Sequence, residues 1–175
     1  NEIGQNTGGM GAYSPAEILN NTLEKKIINR IVKPTLKALN NKNNPYTGFL
    51  YVGLMIKNNE PYLIEYNVRM GDPECQAILP RLETDFLKIL NFALKNKLNK
   101  IKIRWNKKKC MATVLCAKGY PNKYLIDKVI NLTKIKLLKN SFIFHAGTKF
   151  KNNLLVSNGG RVLNIVVLES SFLKA

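Results

Sequence analysis

The chain has 175 residues, enough for one substantial hydrophobic core or two smaller ones. With 28 Lys and Arg against 11 Asp and Glu, its formal net charge of +17 is typical of proteins that bind nucleic acid or acidic membranes. The cations are scattered, however, and the one tight run, residues 107–109, lacks interleaved aromatic side chains that stack on bases. Apolar runs are also shorter than the ~20 residues that span a bilayer. We therefore expect no membrane partner and argue against a nucleic-acid partner.

Three cysteines, Cys75, Cys110 and Cys116, have spacings typical of neither a metal site nor a disulfide framework. We expect free, buried thiols in a reducing compartment, which agrees with a cytoplasmic protein. The sequence begins at Asn1 rather than Met, so we also expect it to be part of a longer chain.

The first predicted element is a glycine-rich loop over residues 6–15. Gly8, Gly9 and Gly11 would let the backbone approach a ligand closely and turn its N–H groups toward an anion. A tight turn explains such a run as often.

A long amphipathic helix is predicted next. Residues 14–17 have the form of a capping box with proline at the first helical position, which predicts a helix start there. Apolar side chains recur at helical spacing over residues 22–39, and Pro34 is expected to kink or split the helix.

A β-hairpin follows, because residues 48–56 are β-rich, residues 57–60 are typical of a turn, and residues 62–69 alternate apolar with polar. On that alternation Glu65, Asn67 and Arg69 share one face of the second strand. The apolar residues between them share the other.

This polar face is the strongest candidate site in the sequence. Residues two apart on a strand are separated by roughly 6.5 to 7 Å, so the Glu65 carboxylate and the Asn67 amide oxygen can converge on one hard cation. Mg²⁺ is usually held by one or two carboxylates plus substrate phosphates, and Arg69 would add a donor fork for phosphate oxygens. The alternative is an edge strand with a solvated face, on which Glu65 and Arg69 form an exposed ion pair.

Two further helices are predicted after the hairpin. Asp72 and Pro73 are typical of an N-cap followed by proline at the first helical position, which would bring a helix N-terminus beside the polar face. A second amphipathic helix begins beyond Pro80 and ends near Lys100.

A change of composition over residues 101–109 predicts a linker. Beyond it, β-rich runs separated by turn residues predict a small, mostly β module, at residues 111–117, 142–145, 154–157 and 162–168. The lone His145 is more often a structural residue than a ligand.

Several strings together resemble one enzyme family. Residues 65–74, E-x-N-x-R-x-G-D-P-E, are similar to the metal and phosphate segment of the ATP-grasp ligases, and residues 6–15, N-T-G-G-M-G-A-Y-S-P, resemble the glycine-rich loop of the glycinamide ribonucleotide synthetases among them. The strings A-K-G-Y-P, F-H-A-G-T-K and S-N-G-G-R-V-L, which begin at residues 117, 144 and 157, resemble that family's C-terminal domain. One departure is Gly4-Gln5, where the family usually has Gly-Pro.

The resemblance implies an α+β fold: the second half of an ATP-grasp fold, with helices packed on an antiparallel sheet, followed by a small, mostly β C-terminal domain. The implied domains are residues 1–100, a linker at 101–109, and a truncated C-terminal domain at 110–175. It also implies a missing N-terminal part that supplies the adenine pocket, so we expect this chain to be inactive alone.

The implied activity is the ATP-dependent ligation of glycine to 5-phosphoribosylamine in de novo purine biosynthesis, through glycyl phosphate, with release of ADP and phosphate. The implied cofactors are ATP and Mg²⁺ or Mn²⁺. By resemblance Glu65 and Asn67 hold the metal and Arg69 offsets charge on the transferring phosphoryl group. The residues implied to bind phosphate or substrate are Gly8, Gly9, Gly11, Asp72, Glu74, His145, Asn158, Gly160 and Arg161.

Two alternatives stay open. One keeps the ATP-grasp fold with another substrate, and the residue 8–15 string argues against it. The other is a basic nucleic-acid-binding module, which would show a steep salt dependence of binding and no affinity for a magnesium nucleotide.

Overall fold

The computed structural model describes residues 4–175, so the predicted start of the first domain at Asn1 lies outside the described residues. The chain forms two compact units. The first comprises residues 4–15, Asp72–Leu82 and Trp105–Ala175, and the second comprises Ala16–Gly71 and Glu83–Arg104. Both units are discontinuous in sequence, unlike the linear division predicted above, which stays a prediction.

The strands are β1 (Gly11–Ser14), β2 (Tyr51–Lys57), β3 (Glu60–Asn67), β4 (Lys109–Cys116), β5 (Ser141–His145), β6 (Thr148–Lys151), β7 (Leu154–Ser157) and β8 (Arg161–Glu169). The α-helices are α1 (Asn21–Ile27), α2 (Lys33–Asn41), α3 (Glu74–Ile78) and α4 (Phe86–Leu94). Short 3-10 turns occupy Leu79–Arg81, Leu98–Lys100 and Phe172–Lys174. Within residues 4–175 no helix is both long and apolar enough to cross a bilayer.

The first unit is built on an antiparallel sheet with strand order β1-β4-β8-β5. All four β runs predicted for the C-terminal module are strands, whereas β1 and β6 were not predicted. Strand β1 corrects the predicted capping box: Ser14 pairs with Cys110 in the sheet instead of starting a helix. The Arg81 guanidinium also donates to the Ser14 hydroxyl (2.6 Å), so this hydroxyl has a partner other than a helix N-terminus.

The core of this unit lies between its sheet and helix α3. Ala77, Cys110, Ala112 and Val166 are all at most 1% exposed and cluster there. Burial raises the pKa of the Cys110 thiol to about 11, because a thiolate would lose its hydration. The three cysteines are free, as the sequence predicted, and Cys110 is buried while the other two are partly exposed.

The second unit packs a helical stretch against the β2–β3 hairpin. Its first helix begins after Asn20, whose side chain accepts a hydrogen bond from the Leu23 amide (2.9 Å). The interruption predicted at Pro34 takes the form of a π-helical turn at Ile28–Val32, between α1 and α2. The helices hold the hairpin through polar contacts, including one between the Thr35 and Tyr66 hydroxyls (2.5 Å).

The hairpin confirms the predicted pairing and corrects its detail. Asn58 and Asn59 form the two-residue turn with φ of 52° and 58°, the left-handed conformation that matches the twist of the strands. A β-bulge interrupts the predicted alternation, since Leu54 pairs with Leu63 and Gly53 with Glu65. Ile64 is the extra residue and is 61% exposed.

Two predicted helix boundaries are wrong. Helix α3 begins at Glu74 rather than after an Asp72 cap, and it has no side-chain cap hydrogen bond. It has only five residues, so it supplies little helix dipole to an anion. Helix α4 ends at Leu94, earlier than the predicted end near Lys100, because Asn96 follows with a left-handed φ of 53°.

Leu23 is the residue of the second unit whose truncation should cost most stability. Its side chain is fully buried, so Leu23→Ala is expected to lower the free energy of unfolding by about 2–5 kcal/mol. Leu94 is 76% exposed, and Leu94→Ala should change it by less than about 0.5 kcal/mol. Urea unfolding of the two variants measures the difference; equal midpoints would contradict the packing described.

Candidate functional site

The glycine-rich loop packs closely against other residues of the first unit. A Cβ at Gly9 would lie 2.4 Å from Pro73 Cδ and 2.8 Å from the Asp72 carbonyl oxygen. A Cβ at Gly8 would lie 2.9 Å from the Arg161 guanidinium carbon. The close approach that these glycines allow is therefore an approach to Asp72, Pro73 and Arg161.

Arg161, the first residue of β8, joins two segments that are far apart in sequence. Its Nη2 donates to Asp72 Oδ2 (2.6 Å), and its Nη1 donates to the carbonyl oxygens of Gly9 and Asp72 (3.0 Å each). The Arg161 side chain is 24% exposed, so this ion pair is partly shielded from water. The guanidinium thus ties the loop to the segment that precedes α3.

Tyr120 is a member of this cluster that the sequence did not single out. Its hydroxyl accepts a hydrogen bond from the Gly8 amide (2.9 Å). A Cβ at Gly160 would lie 2.1 Å from Tyr120 Cδ2, so only glycine leaves room for the ring. Tyr120 lies in the string A-K-G-Y-P, but its partner Gly8 is 112 residues away in sequence, so no local pattern points to this contact. We call Gly8, Gly9, Asp72, Tyr120, Gly160 and Arg161 the glycine clasp.

The other candidates of this unit have different partners. Gly11 pairs with Thr113 in the sheet, and Glu74 lies in the first turn of α3. His145 Nδ1 is 3.1 Å from the Thr148 hydroxyl, and the main-chain N–H of Asn158 donates to the Gly147 carbonyl (2.7 Å). The predicted roles of these residues in binding substrate stay predictions.

The second unit brings the two predicted metal ligands together. Asn67 Nδ2 donates to Glu65 Oε1 (3.0 Å) on consecutive same-face positions of β3, beyond the bulge. Gly53 pairs with Glu65, and a Cβ there would lie 2.9 Å from Glu65 Cγ, so a side chain at position 53 would displace the acid. The missing Cβ leaves room for the Glu65 side chain.

Arg69 lies beyond the end of β3, so the strand alternation does not extend to it. Its Nη1 donates to the Met70 carbonyl (2.9 Å), while the Glu65 carboxylate accepts from Asn67. The exposed Glu65–Arg69 ion pair of the alternative interpretation is therefore not formed between these described residues.

The Glu65–Asn67 pair fits a divalent cation that is bound together with phosphates. Residues 4–175 contain no cluster of three or more His, Cys, Asp and Glu that could hold a metal without further donors. One carboxylate with one amide is the sparse oxygen set that Mg²⁺ accepts when phosphates complete its coordination. Rotation of the Asn67 amide would present Oδ1 beside Glu65 Oε1, since the two amide orientations differ only in hydrogen-bond pattern.

Comparison with models of known families identifies the family to which the chain belongs. Residues 1–75 match the family described as phosphoribosylglycinamide synthetase, ATP-grasp (A) domain, and residues 110–175 match phosphoribosylglycinamide synthetase, C domain. The chain belongs to the phosphoribosylglycinamide synthetase family. Membership confirms the resemblance and the predicted fold class.

Individual members of the family agree with this assignment. The chain is 45% identical to the phosphoribosylamine–glycine ligase of Fusobacterium nucleatum subsp. nucleatum and 41% identical to that of Caldanaerobacter subterraneus subsp. tengcongensis, over 99% and 98% of its length. It is also similar to the crystal structure of phosphoribosylamine–glycine ligase from Thermotoga maritima, with a TM-score of 0.81, 34% identity and 98% of the chain covered. The chain spans 41% of the length of each of the two sequence relatives and 42% of the Thermotoga chain.

Proposed function

We propose that the protein that carries this chain joins glycine to 5-phosphoribosylamine, with cleavage of ATP to ADP and phosphate, as a step of purine biosynthesis in the cytoplasm. The observation that supports this most is the 45% identity to a phosphoribosylamine–glycine ligase over 99% of the chain. Two family domains, matched in order along the chain, support the same assignment.

Glu65 and Asn67 would hold the Mg²⁺ or Mn²⁺ that accompanies the nucleotide, because their side chains meet on an exposed strand face. The metal would neutralise charge on the phosphates. Arg69 would contribute a second positive charge to the transferring phosphoryl group. These residues act by electrostatics, so the reaction needs no nucleophilic side chain from this chain.

Substrate placement is assigned to the residues of the first unit. The loop that contains Gly8, Gly9 and Gly11, with Asp72 and Glu74, would position phosphate or substrate. From the C domain, His145, Asn158, Gly160 and Arg161 are the proposed contributors. In this scheme glycine reacts first, as glycyl phosphate, and the amine of 5-phosphoribosylamine then displaces phosphate.

The proposal is tested by ADP release from the full-length protein with magnesium or manganese. We expect release that requires both glycine and 5-phosphoribosylamine, and none from residues 1–175 alone, since these correspond to about two fifths of the relatives' length. ADP release that requires a different acid or amine would favour another ATP-grasp ligase. A steep salt dependence of duplex binding without nucleotide affinity would favour the nucleic-acid alternative.

A further inference from the structure

We propose that Arg161 and Tyr120 are positioning residues, which fix the main chain of the glycine loop and the Asp72 side chain instead of contacting substrate. The inference rests on the proposed function for its consequence in catalysis, but the contacts that carry it are within the first unit. It assigns a role to Tyr120, and for Arg161, Gly8 and Gly160 it replaces direct substrate contact with placement of the glycine loop.

The positive charge of the Arg161 guanidinium is paired with a carboxylate, and most of its N–H donors have acceptors in the protein. Three of its hydrogen bonds go to protein oxygens, two of them main-chain carbonyls and one the Asp72 carboxylate. A guanidinium has five N–H donors in a fixed plane, so this set uses both ends of the fork. An incoming phosphate would have to compete with the Asp72 carboxylate for the same cation, whereas a positioning role uses the contacts as they stand.

Tyr120 accepts the hydrogen bond of the Gly8 N–H, so this group is not available to bind an anion. The Gly8 amide, one of the groups expected to face a phosphate, donates to the Tyr120 hydroxyl. The hydroxyl is held in place because its ring fills the space over Gly160, and the Gly160 carbonyl accepts from the Ala117 amide (2.8 Å). Gly8 is therefore fixed by the C domain.

The loop has a second attachment that does not depend on these two residues. The Met10 carbonyl accepts from the Val114 amide of β4 (3.1 Å), and Gly11 begins the strand that pairs with β4. Loss of Tyr120 or Arg161 contacts should therefore loosen residues 8 and 9 while the sheet persists. That separation allows a local effect to be distinguished from unfolding.

The first experiment measures amide hydrogen exchange in the full-length protein with Tyr120→Phe, which removes the acceptor and keeps the ring. We expect the Gly8 amide to exchange roughly two- to tenfold faster, the range expected for one lost hydrogen bond, while the Val114 amide is unchanged. Tyr62→Phe is the matched control, because Tyr62 is 56% exposed on the hairpin. Unchanged exchange at Gly8 in Tyr120→Phe would overturn the assignment of Tyr120.

The second experiment separates positioning from phosphate binding at Arg161. Arg161→Lys keeps the charge but presents its donors from a single nitrogen, so it cannot reproduce the contacts that Nη1 and Nη2 make in different directions. We expect faster Gly8 exchange, a several-fold lower kcat and no selective rise in the KM for 5-phosphoribosylamine. Arg104 is an exposed arginine of the second unit, and Arg104→Lys should change none of these three quantities. A wild-type kcat in Arg161→Lys, or an effect confined to that KM, would show that Arg161 is an anion ligand. The exchange measurement needs no turnover, so it remains decisive even if the proposed activity is wrong.

Discussion

Glu65→Gln in the full-length protein is expected to lower kcat at least about a hundredfold. Glutamine keeps the size of the side chain and a hydrogen bond to Asn67, but it removes the single negative charge of the proposed metal site. Loss of an outer-shell partner of a metal ligand already costs about 10- to 100-fold, so loss of the carboxylate itself should cost more. The measurement is kcat as a function of Mg²⁺ and Mn²⁺ concentration, with partial recovery expected at high metal.

Glu60→Gln is the matched control on the same strand. Glu60 forms ion pairs with Lys26 and with Arg30 (2.8 Å), and the hydrogen bond from Lys26 is the main reason its pKa lies below the usual value. Its partners are on the helices of the second unit, so its substitution should leave kcat within about twofold of wild type. If a folded Glu65→Gln protein does not respond to added metal, Glu65 is not a metal ligand.

Gly160→Ala should destabilise the first unit by about 1–3 kcal/mol, the usual cost of forcing an extra carbon into a packed region. The added Cβ would lie 2.1 Å from the Tyr120 ring, and moving the ring would pull its hydroxyl away from the Gly8 amide. Urea unfolding measures the stability, and Gly8 amide exchange reports the loss of the contact.

Gly4→Ala controls for the generic effect of replacing glycine, because a Cβ at Gly4 has no atom within 4 Å. Its free energy of unfolding should stay within about 0.5 kcal/mol of wild type. The double substitution Gly160→Ala with Tyr120→Ser should recover part of the loss by removing the ring. Equal stability of Gly160→Ala and wild type would mean that Tyr120 and Gly160 are not packed as described.

Local sequence patterns were reliable where the structure is local. The hairpin followed from two β-rich runs around a four-residue turn, and the convergence of Glu65 and Asn67 followed from their spacing of two. Local patterns gave the wrong structure at two positions. Ser14 has the sequence of a capping box but pairs with Cys110 in the sheet, and the Asp72 carboxylate pairs with Arg161 instead of capping a helix. In both cases a partner about 90 residues or more away decided the outcome.

The sequence by itself determined the family, through its motif strings, and the family implied the α+β class. The spacing of two between Glu65 and Asn67 gave the two side chains proposed for the metal. Only the tertiary structure decided what the glycines accommodate and what Arg161 and Tyr120 hold. Gly8 and Gly9 face the protein's own arginine, carbonyl and proline ring, and no spacing along the chain encodes contacts between residues 8, 72, 120 and 161. Hydrogen bonds of this kind are set by the pairing of β1, β4 and β8, which brings distant segments together.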